Sequence, residues 1–426
     1  MFDMLIHNAR VRGQADLSDI AISSGKIVEI RPAIEGDSIQ QIDAQGYLVC
    51  PPFIDSHFHL DSALTYGQPR VNRSGTLLEG IRLWGELKPD LTSEKIYQRV
   101  KHFLQWSIAR GTLVIRSHVD ISDPSLAAVE ALLALRKDMC AWLDIQLVAF
   151  PQDGFLRLPG ARENLLRALD MGVDVVGGIP HFERSMADGA ESVRQLCEIA
   201  ETRGLLVDMH CDESDDPLSR HVESLAYETQ RLGMQGRVTG SHLTSMHSMD
   251  NYYVSKLIPL LHETDLQVVA NPLINISLQG RHDSYPKRRG MTRVKELSAA
   301  GLNVAFGHDC VLDPWYSLGS HDMLEVAHMG LHVGQMTGSS EMMTCFDAVT
   351  TNAARCLQIE GYGIRPGCNA DLLILQCRNE IDALRLKPAR LWVIRQGKVI
   401  ASCDPVKPKL LLADQKSEID FELLDH

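Results

Sequence analysis

The stretch Leu48-Val49-Cys50-Pro51-Pro52-Phe53-Ile54-Asp55-Ser56-His57-Phe58-His59 decides how the rest of the chain is read. Its apolar run, Leu48 to Ile54, has the texture of a buried strand, and it closes on two histidines one residue apart. Side chains two apart on a strand point to the same side, so His57 and His59 project together from a strand end. Taken alone, the pair is equally well explained as two polar residues satisfied at a strand terminus. The recurrence of the same event favours the sharper reading. Groups capable of chemistry close one apolar run after another: His118 with Asp120, Gln152, His181, His210 with Glu213, His242, Asn271 with Asn275, and His308 with Asp309. Eight strand-like runs that end in polar groups describe a (β/α)8 TIM-like barrel of the metal-dependent hydrolase type, with its site at the C-terminal rim.

Outward from that stretch, the predicted barrel strands are Tyr47 to Ser56, Leu113 to Ser117, Ile145 to Phe150, Val173 to Gly177, Leu205 to Met209, Val238 to Ser241, Gln267 to Ala270 and Asn303 to Phe306. Helical periods lie between them. The clearest follows Thr92, where Ile96, Val100, Phe103, Leu104 and Ile108 recur at helical spacing and Gly111 supplies the stop. Short strands separated by Gly13, Gly25 and Gly36 precede the barrel, and similar pieces return after about residue 358. The expected organisation is a catalytic barrel over 51–358 and one small flanking β-domain built from 1–50 and 359–426. The last stretch, from about Asp404, reads as a loosely held polar tail.

Composition narrows the class. The 426 residues carry a net charge of −13, which argues against nucleic acid or an anionic membrane as a direct partner. A small neutral substrate is indifferent to that charge. The ten cysteines are scattered with no CxxC pair, a pattern of reduced thiols in a cytoplasmic protein. Met1-Phe2-Asp3-Met4 lacks the basic start of a leader, and no run reaches the roughly 18 apolar residues of a membrane span.

Three imidazoles (His57, His59, His210) and the Asp309 carboxylate suit one borderline divalent cation, Zn(II) or Fe(II), with a position left open for water. His242 is either a fifth ligand or the group that, with Asp309, holds and deprotonates that water. Glu213, three residues after His210, is a candidate proton shuttle. His118, Asp120 and His181 read as groups of the rim or as supports for the ligands. The H-x-E half of a different zinc deaminase signature occurs at His221-Val222-Glu223, but its C-x-x-C half does not, so the match is read as chance on a helix surface.

Several strings carry a resemblance: His57-Phe58-His59-Leu60-Asp61, Ser74-Gly75-Thr76-Leu77, Val148-Ala149-Phe150-Pro151-Gln152, Gly178-Ile179-Pro180-His181-Phe182-Glu183, His210-Cys211-Asp212-Glu213, Ala270-Asn271-Pro272-Leu273, Tyr285-Pro286-Lys287-Arg288-Arg289-Gly290 and Asp313-Pro314-Trp315-Tyr316. With them the chain, over residues 1 to about 403, resembles bacterial cytosine deaminase of the amidohydrolase superfamily. The resemblance implies one Fe(II) or Zn(II) per chain, held by His57, His59, His210 and Asp309, and proton handling by Glu213 and His242. It implies that Gln152 reads the pyrimidine edge, that backbone near Leu77 helps, that Trp315 walls the pocket, and that the chain forms a homo-oligomer.

One position departs. The family pattern at strand 8 is His-Asp-Asp, and here it is His308-Asp309-Cys310. Cysteine is smaller than aspartate and behaves as a weakly polar hydrophobe. The expectation is a niche for a C5 methyl, hence 5-methylcytosine alongside cytosine. Two other readings stand beside it. One is a deaminase of another aminated ring, of isoguanine or creatinine type; the other is a catalytically silent metal- or base-binding protein.

Overall fold

The computed structural model describes residues 1–412, 415–419 and 421. Contacts divide the chain into two compact units. One comprises Met1–Phe53, Ile108–Gly111 and the chain from Glu360 onward; the other comprises Ile54–Ser107 and Thr112–Ile359.

The larger unit is a barrel of parallel strands: β1 (Phe53–Phe58), β2 (Thr112–Asp120), β3 (Asp144–Phe150), β4 (Val175–Gly178), β5 (Leu206–Cys211), β6 (Val238–His242), β7 (Gln267–Ala270) and β8 (Val304–Phe306). They pair in chain order from β1 to β8. The two ends meet through a parallel bridge between Phe58 and Asp309. There the Asp309 N–H donates to the His57 carbonyl at 2.8 Å, and the His59 N–H donates to the Asp309 carbonyl at 3.0 Å. All nine residues of β2 are buried, as a strand covered on both faces requires. Helices fill the connections. Ser93–Ala109 turns Ile96, Val100, Phe103 and Leu104 into the core, at the predicted spacing.

The smaller unit is an eight-stranded sheet to which both ends of the chain contribute. Its order is Lys398–Ser402, Arg390–Arg395, Leu372–Leu375, Leu48–Cys50, Phe2–Val11, Ser18–Ser23 and Lys26–Arg31, with Ser38–Asp43 also paired to Phe2–Val11. Met4, Ile6, Ile20, Ile22, Leu372, Ile374 and Ile394 form its core.

Two expectations change. The strand predicted over 47–56 is two strands, Leu48–Cys50 in the small sheet and Phe53–Phe58 in the barrel. Pro51 and Pro52 separate them because neither carries an N–H for a ladder. The tail predicted to be loose contains an antiparallel pair, Lys409–Leu412 with Gln415–Glu418. Among the described residues, no helix is long and apolar enough to cross a membrane.

Candidate active site

Four ligand-type atoms from β1, β5 and the end of β8 converge. His57 and His59 leave the end of β1 on the same side, as alternation requires, and His210 sits one residue before the end of β5. Nε2 of His210 lies 3.2 Å from Nε2 of His57 and 3.0 Å from Nε2 of His59. Oδ1 of Asp309 lies 3.3 Å from each of those two nitrogens. All four side chains are buried. A tetrahedral cation with ligands at 2.0–2.1 Å spaces its donors about 3.3 Å apart, so the cluster has the dimensions of a Zn(II)-type site. The donor set, three imidazole nitrogens and one carboxylate oxygen, suits a borderline divalent ion. Asp309 Oδ1 is buried and faces the Nε2 atoms of His57 and His59, which fits an oxygen aimed at a cation shared with them.

Without a cation, such a cluster must redistribute protons. Burial opposes charge on His59, but its hydrogen bond and attraction to Asp309 outweigh burial and raise it to about 9. Burial, with the neighbouring imidazoles, pushes His210 well down. Burial would raise Asp309, yet its contacts with His57 and His59 hold it well below the carboxylate range. Loading a cation near neutral pH therefore has to expel a proton from His59. Affinity should rise with pH by up to about tenfold per unit until pH is near 9, and binding should release protons. Calorimetric titration of metal-free protein with Zn(II), in buffers of different ionisation enthalpy, counts those protons. A count near zero between pH 6 and 8 would refute a charged His59.

Glu213 stands beside this cluster. Burial, then repulsion from Asp309, pushes its carboxyl up to about 8. Glu213 Oε1 lies 3.6 Å from His242 Nδ1. His242 is not among the four convergent donors. The Asn275 side-chain amide donates to its Nδ1 at 2.9 Å, and the Asn271 amide approaches the same atom at 3.3 Å. The Asn271 amide also lies 3.4 Å from Nε2, so the two amides hold the ring on both of its nitrogens. His242 and Asp309 both take left-handed backbone, at φ of 71° and 70°. Such strain in non-glycine residues is held by surrounding structure and gathers at functional sites.

One cavity collects the other predicted residues. His59, Leu77, Gln152, His210, Glu213, Asp309, Cys310 and Trp315 line it. His57 and His242 do not line it. Leu77 opens helix α1 (Leu77–Leu87), which lies against Trp315 so closely that a Cβ at Gly80 would fall 2.5 Å from the indole. Ile81, Ile179, Phe182, Ile274 and Leu278 complete the apolar wall, and His181 also lines the cavity. The sequence reading missed this wall, because apolar residues after strand ends look like ordinary core.

Other placements differ from expectation. His118 is not at the rim. It is fully buried inside the barrel, its ring 4.0 Å from that of His57. Beneath it the buried Arg116 pairs with Asp208 at 2.9 Å. Asp120, at the end of β2, is also buried, accepting from the Trp84 indole at 2.8 Å and pairing with Lys88 at 2.9 Å. His221 is not on a helix surface. It is buried and its Nδ1 lies 2.8 Å from the Asp212 carboxylate. Asp55 was overlooked, although an acid inside the run Phe53-Ile54-Asp55 is the signal that could have found it. It is fully buried and accepts from the N–H of His57 at 3.1 Å, the N–H of His308 at 3.0 Å and His321 Nε2 at 2.9 Å. It thereby ties the ends of β1 and β8 together behind the ligands.

Known proteins share this framework. The structure of 5-methylcytosine deaminase from Klebsiella pneumoniae, liganded with 5-fluorocytosine, is 45% identical to this chain with a TM-score of 0.92, and the match covers 94% of this chain and 98% of that one. N-isopropylammelide isopropyl amidohydrolase of Pseudomonas sp. (strain ADP) is 29% identical over 423 residues, 97% of this chain and 99% of its own. Pterin deaminase of Rhizobium rhizogenes is 29% identical over 394 residues, 90% of this chain and 87% of its own. A model of the amidohydrolase family matches residues 40–401, from the small sheet through every strand of the barrel and back. The chain belongs to the amidohydrolase family.

Proposed function

We propose that this protein is a metal-dependent deaminase of a free pyrimidine base, converting cytosine to uracil and 5-methylcytosine to thymine with release of ammonia. The observation that carries the reading is the lining of one cavity. Gln152, Glu213 and Cys310 face a space floored by His59, His210 and Asp309. The likeness to a 5-methylcytosine deaminase structure over nearly the whole chain supports it.

A divalent cation held by His57, His59, His210 and Asp309 would supply a water acidified toward neutrality. The chain's own residues do the rest. Gln152 presents an amide, donor and acceptor together, to the pyrimidine edge. Glu213, protonated near neutral pH by its buried setting, gives its proton to N3 and makes C4 electrophilic. As water oxygen bonds to C4, one of its protons passes to Glu213 or His242 and on to the amino nitrogen. The C4–N bond breaks, ammonia leaves, and the second proton of that oxygen returns to Glu213 as the C4 carbonyl forms. Asn271 and Asn275 hold the His242 ring in place for that exchange.

Cys310 bears on the substrate. It is buried, it lines the cavity, and burial pushes its thiol well above the usual range, so the side chain would meet the base as a neutral, weakly polar group. A methyl on C5 gains about 0.8 kcal/mol by burial there, and a fitted pocket discriminates one methylene by about 1–3 kcal/mol. Cys310→Asp should move the ratio of kcat/KM toward cytosine by at least about tenfold, the equivalent of 1.4 kcal/mol. Cys310→Ser should stay nearer the parent. Both bases are assayed in all three proteins at matched metal content. An unchanged ratio in Cys310→Asp would show that position 310 does not read C5. The names of the relatives that act on triazine and pterin rings keep a second aminated ring in view. A panel of such rings assayed for ammonia separates the two readings.

A further inference from the structure

Glu183 ends the string Gly178-Ile179-Pro180-His181-Phe182-Glu183, whose Ile179, His181 and Phe182 line the cavity. The carboxylate itself does not line it. It is buried, and it accepts three successive backbone N–H groups of the neighbouring loop: Phe155 at 2.6 Å and Leu156 at 3.0 Å on Oε1, and Arg157 at 2.9 Å on Oε2. Among the described residues, no side-chain cation pairs with it; consecutive amides neutralise it, as in an anion nest. The loop is shaped around that carboxylate. Gly154 has φ of +93°, and a Cβ there would lie 3.2 Å from Glu183 Oε2 and 2.8 Å from the Arg157 Cβ. Arg157 also lays its guanidinium over the Phe182 ring, 4.4 Å from the centroid.

The other end of the loop is pinned as well. The Asp153 N–H donates to Ser122 Oγ at 3.2 Å, and the Asp153 carboxylate lies 3.0 Å from Lys88 Nζ. Gln152 immediately precedes this doubly anchored stretch, next to Asp153. Its side-chain amide reaches the cavity and bonds no protein group among the described residues. An amide that must read a base edge in one orientation gains most when its ordering is completed on folding rather than on binding.

We infer that Glu183 is a positioning residue for base recognition: by clamping the loop after β3 from the loop after β4, it holds the Gln152 amide in its reading orientation. This rests on the proposed role of Gln152. In Glu183→Gln one acceptor becomes an NH2 group that confronts a backbone N–H, so part of the clamp is lost while volume is kept.

The test is a double-mutant cycle on the metal-loaded enzyme with cytosine and 5-methylcytosine. Gln152→Ala should raise KM about tenfold, the upper range for one neutral hydrogen bond. Glu183→Gln should raise KM about fivefold, with kcat within about twofold and metal content unchanged. Combined with Gln152→Ala, it should add less than about twofold. Gly154→Ala strikes the same clamp from the loop side and should likewise raise KM, so the inference stays testable if a Glu183 variant folds poorly. If Gln152→Ala raises KM but Glu183→Gln leaves it unchanged, or acts equally in both backgrounds, the inference is overturned and the role of Gln152 stands. If Gln152→Ala leaves KM unchanged, Gln152 does not read the base, and both fall.

Discussion

Glu213→Gln is expected to keep its metal and still take up the base, but to lose kcat by on the order of 10² to 10⁴ or more. The amide has the size and the neutrality of the protonated carboxyl, so the cavity and the four ligands are undisturbed. What disappears is a proton that can be given to N3 and returned. The loss should exceed that of a single-transfer acid, because one group serves more than one transfer. Turnover within tenfold of the parent would show that another group moves the proton. The substitution also leaves a mark on stability. The folded carboxyl is raised from 4.5 to about 8, so the folded chain binds this proton more tightly than the unfolded chain does. That contribution is fully present below about pH 4.5 and is lost as pH rises through about 8. Denaturant titrations of metal-free protein should show a smaller decline between about pH 4.5 and 8 in Glu213→Gln than in the parent.

Removal of the divalent cation is expected to abolish turnover, and Zn(II), Mn(II) or Fe(II) added back should restore it. His57, His59, His210 and Asp309 form a buried donor set of metal-binding dimensions, and a cation held there would be the group that acidifies water so strongly. Asp309→Ala should match the chelated protein, since it removes the only oxygen donor of the set. Elemental analysis must accompany the assay. Full activity in protein shown to lack metal would end the proposal of metal dependence.

The barrel was legible because its strands are short apolar runs that stop at polar residues, and burial on both faces leaves little else they could be. The candidate ligands were legible for the same reason: His210 closes the largely apolar Leu205-Leu206-Val207-Asp208-Met209, and His308-Asp309 follows Val304-Ala305-Phe306 after a single glycine. What escaped depends on contacts between distant segments. Asp55 and His321 are 266 positions apart and only the folded chain joins them. Glu183 looks like any solvated loop acid until three amides are found on it. His221 looked like surface because helical spacing says nothing of which neighbour covers a face, and here Asp212 reaches across to it. The split at Pro51-Pro52 was written in the sequence, yet a run of apolar residues on either side disguised a change of sheet.

The junction of β1 and β8 has a mechanical consequence. It joins residues about 250 positions apart, and drawing such distant ends together costs about 5 kcal/mol of chain entropy. The two backbone hydrogen bonds at Phe58 and Asp309 return only about 1 kcal/mol each. His57 and His59 stand on one side of that seam and Asp309 on the other, so an ion gripped by all three is a rivet through it. The stave that carries the last ligand is also the stave that completes the cask. An ion bound there would then do more than serve the reaction: it would further fasten the line where the wall is joined.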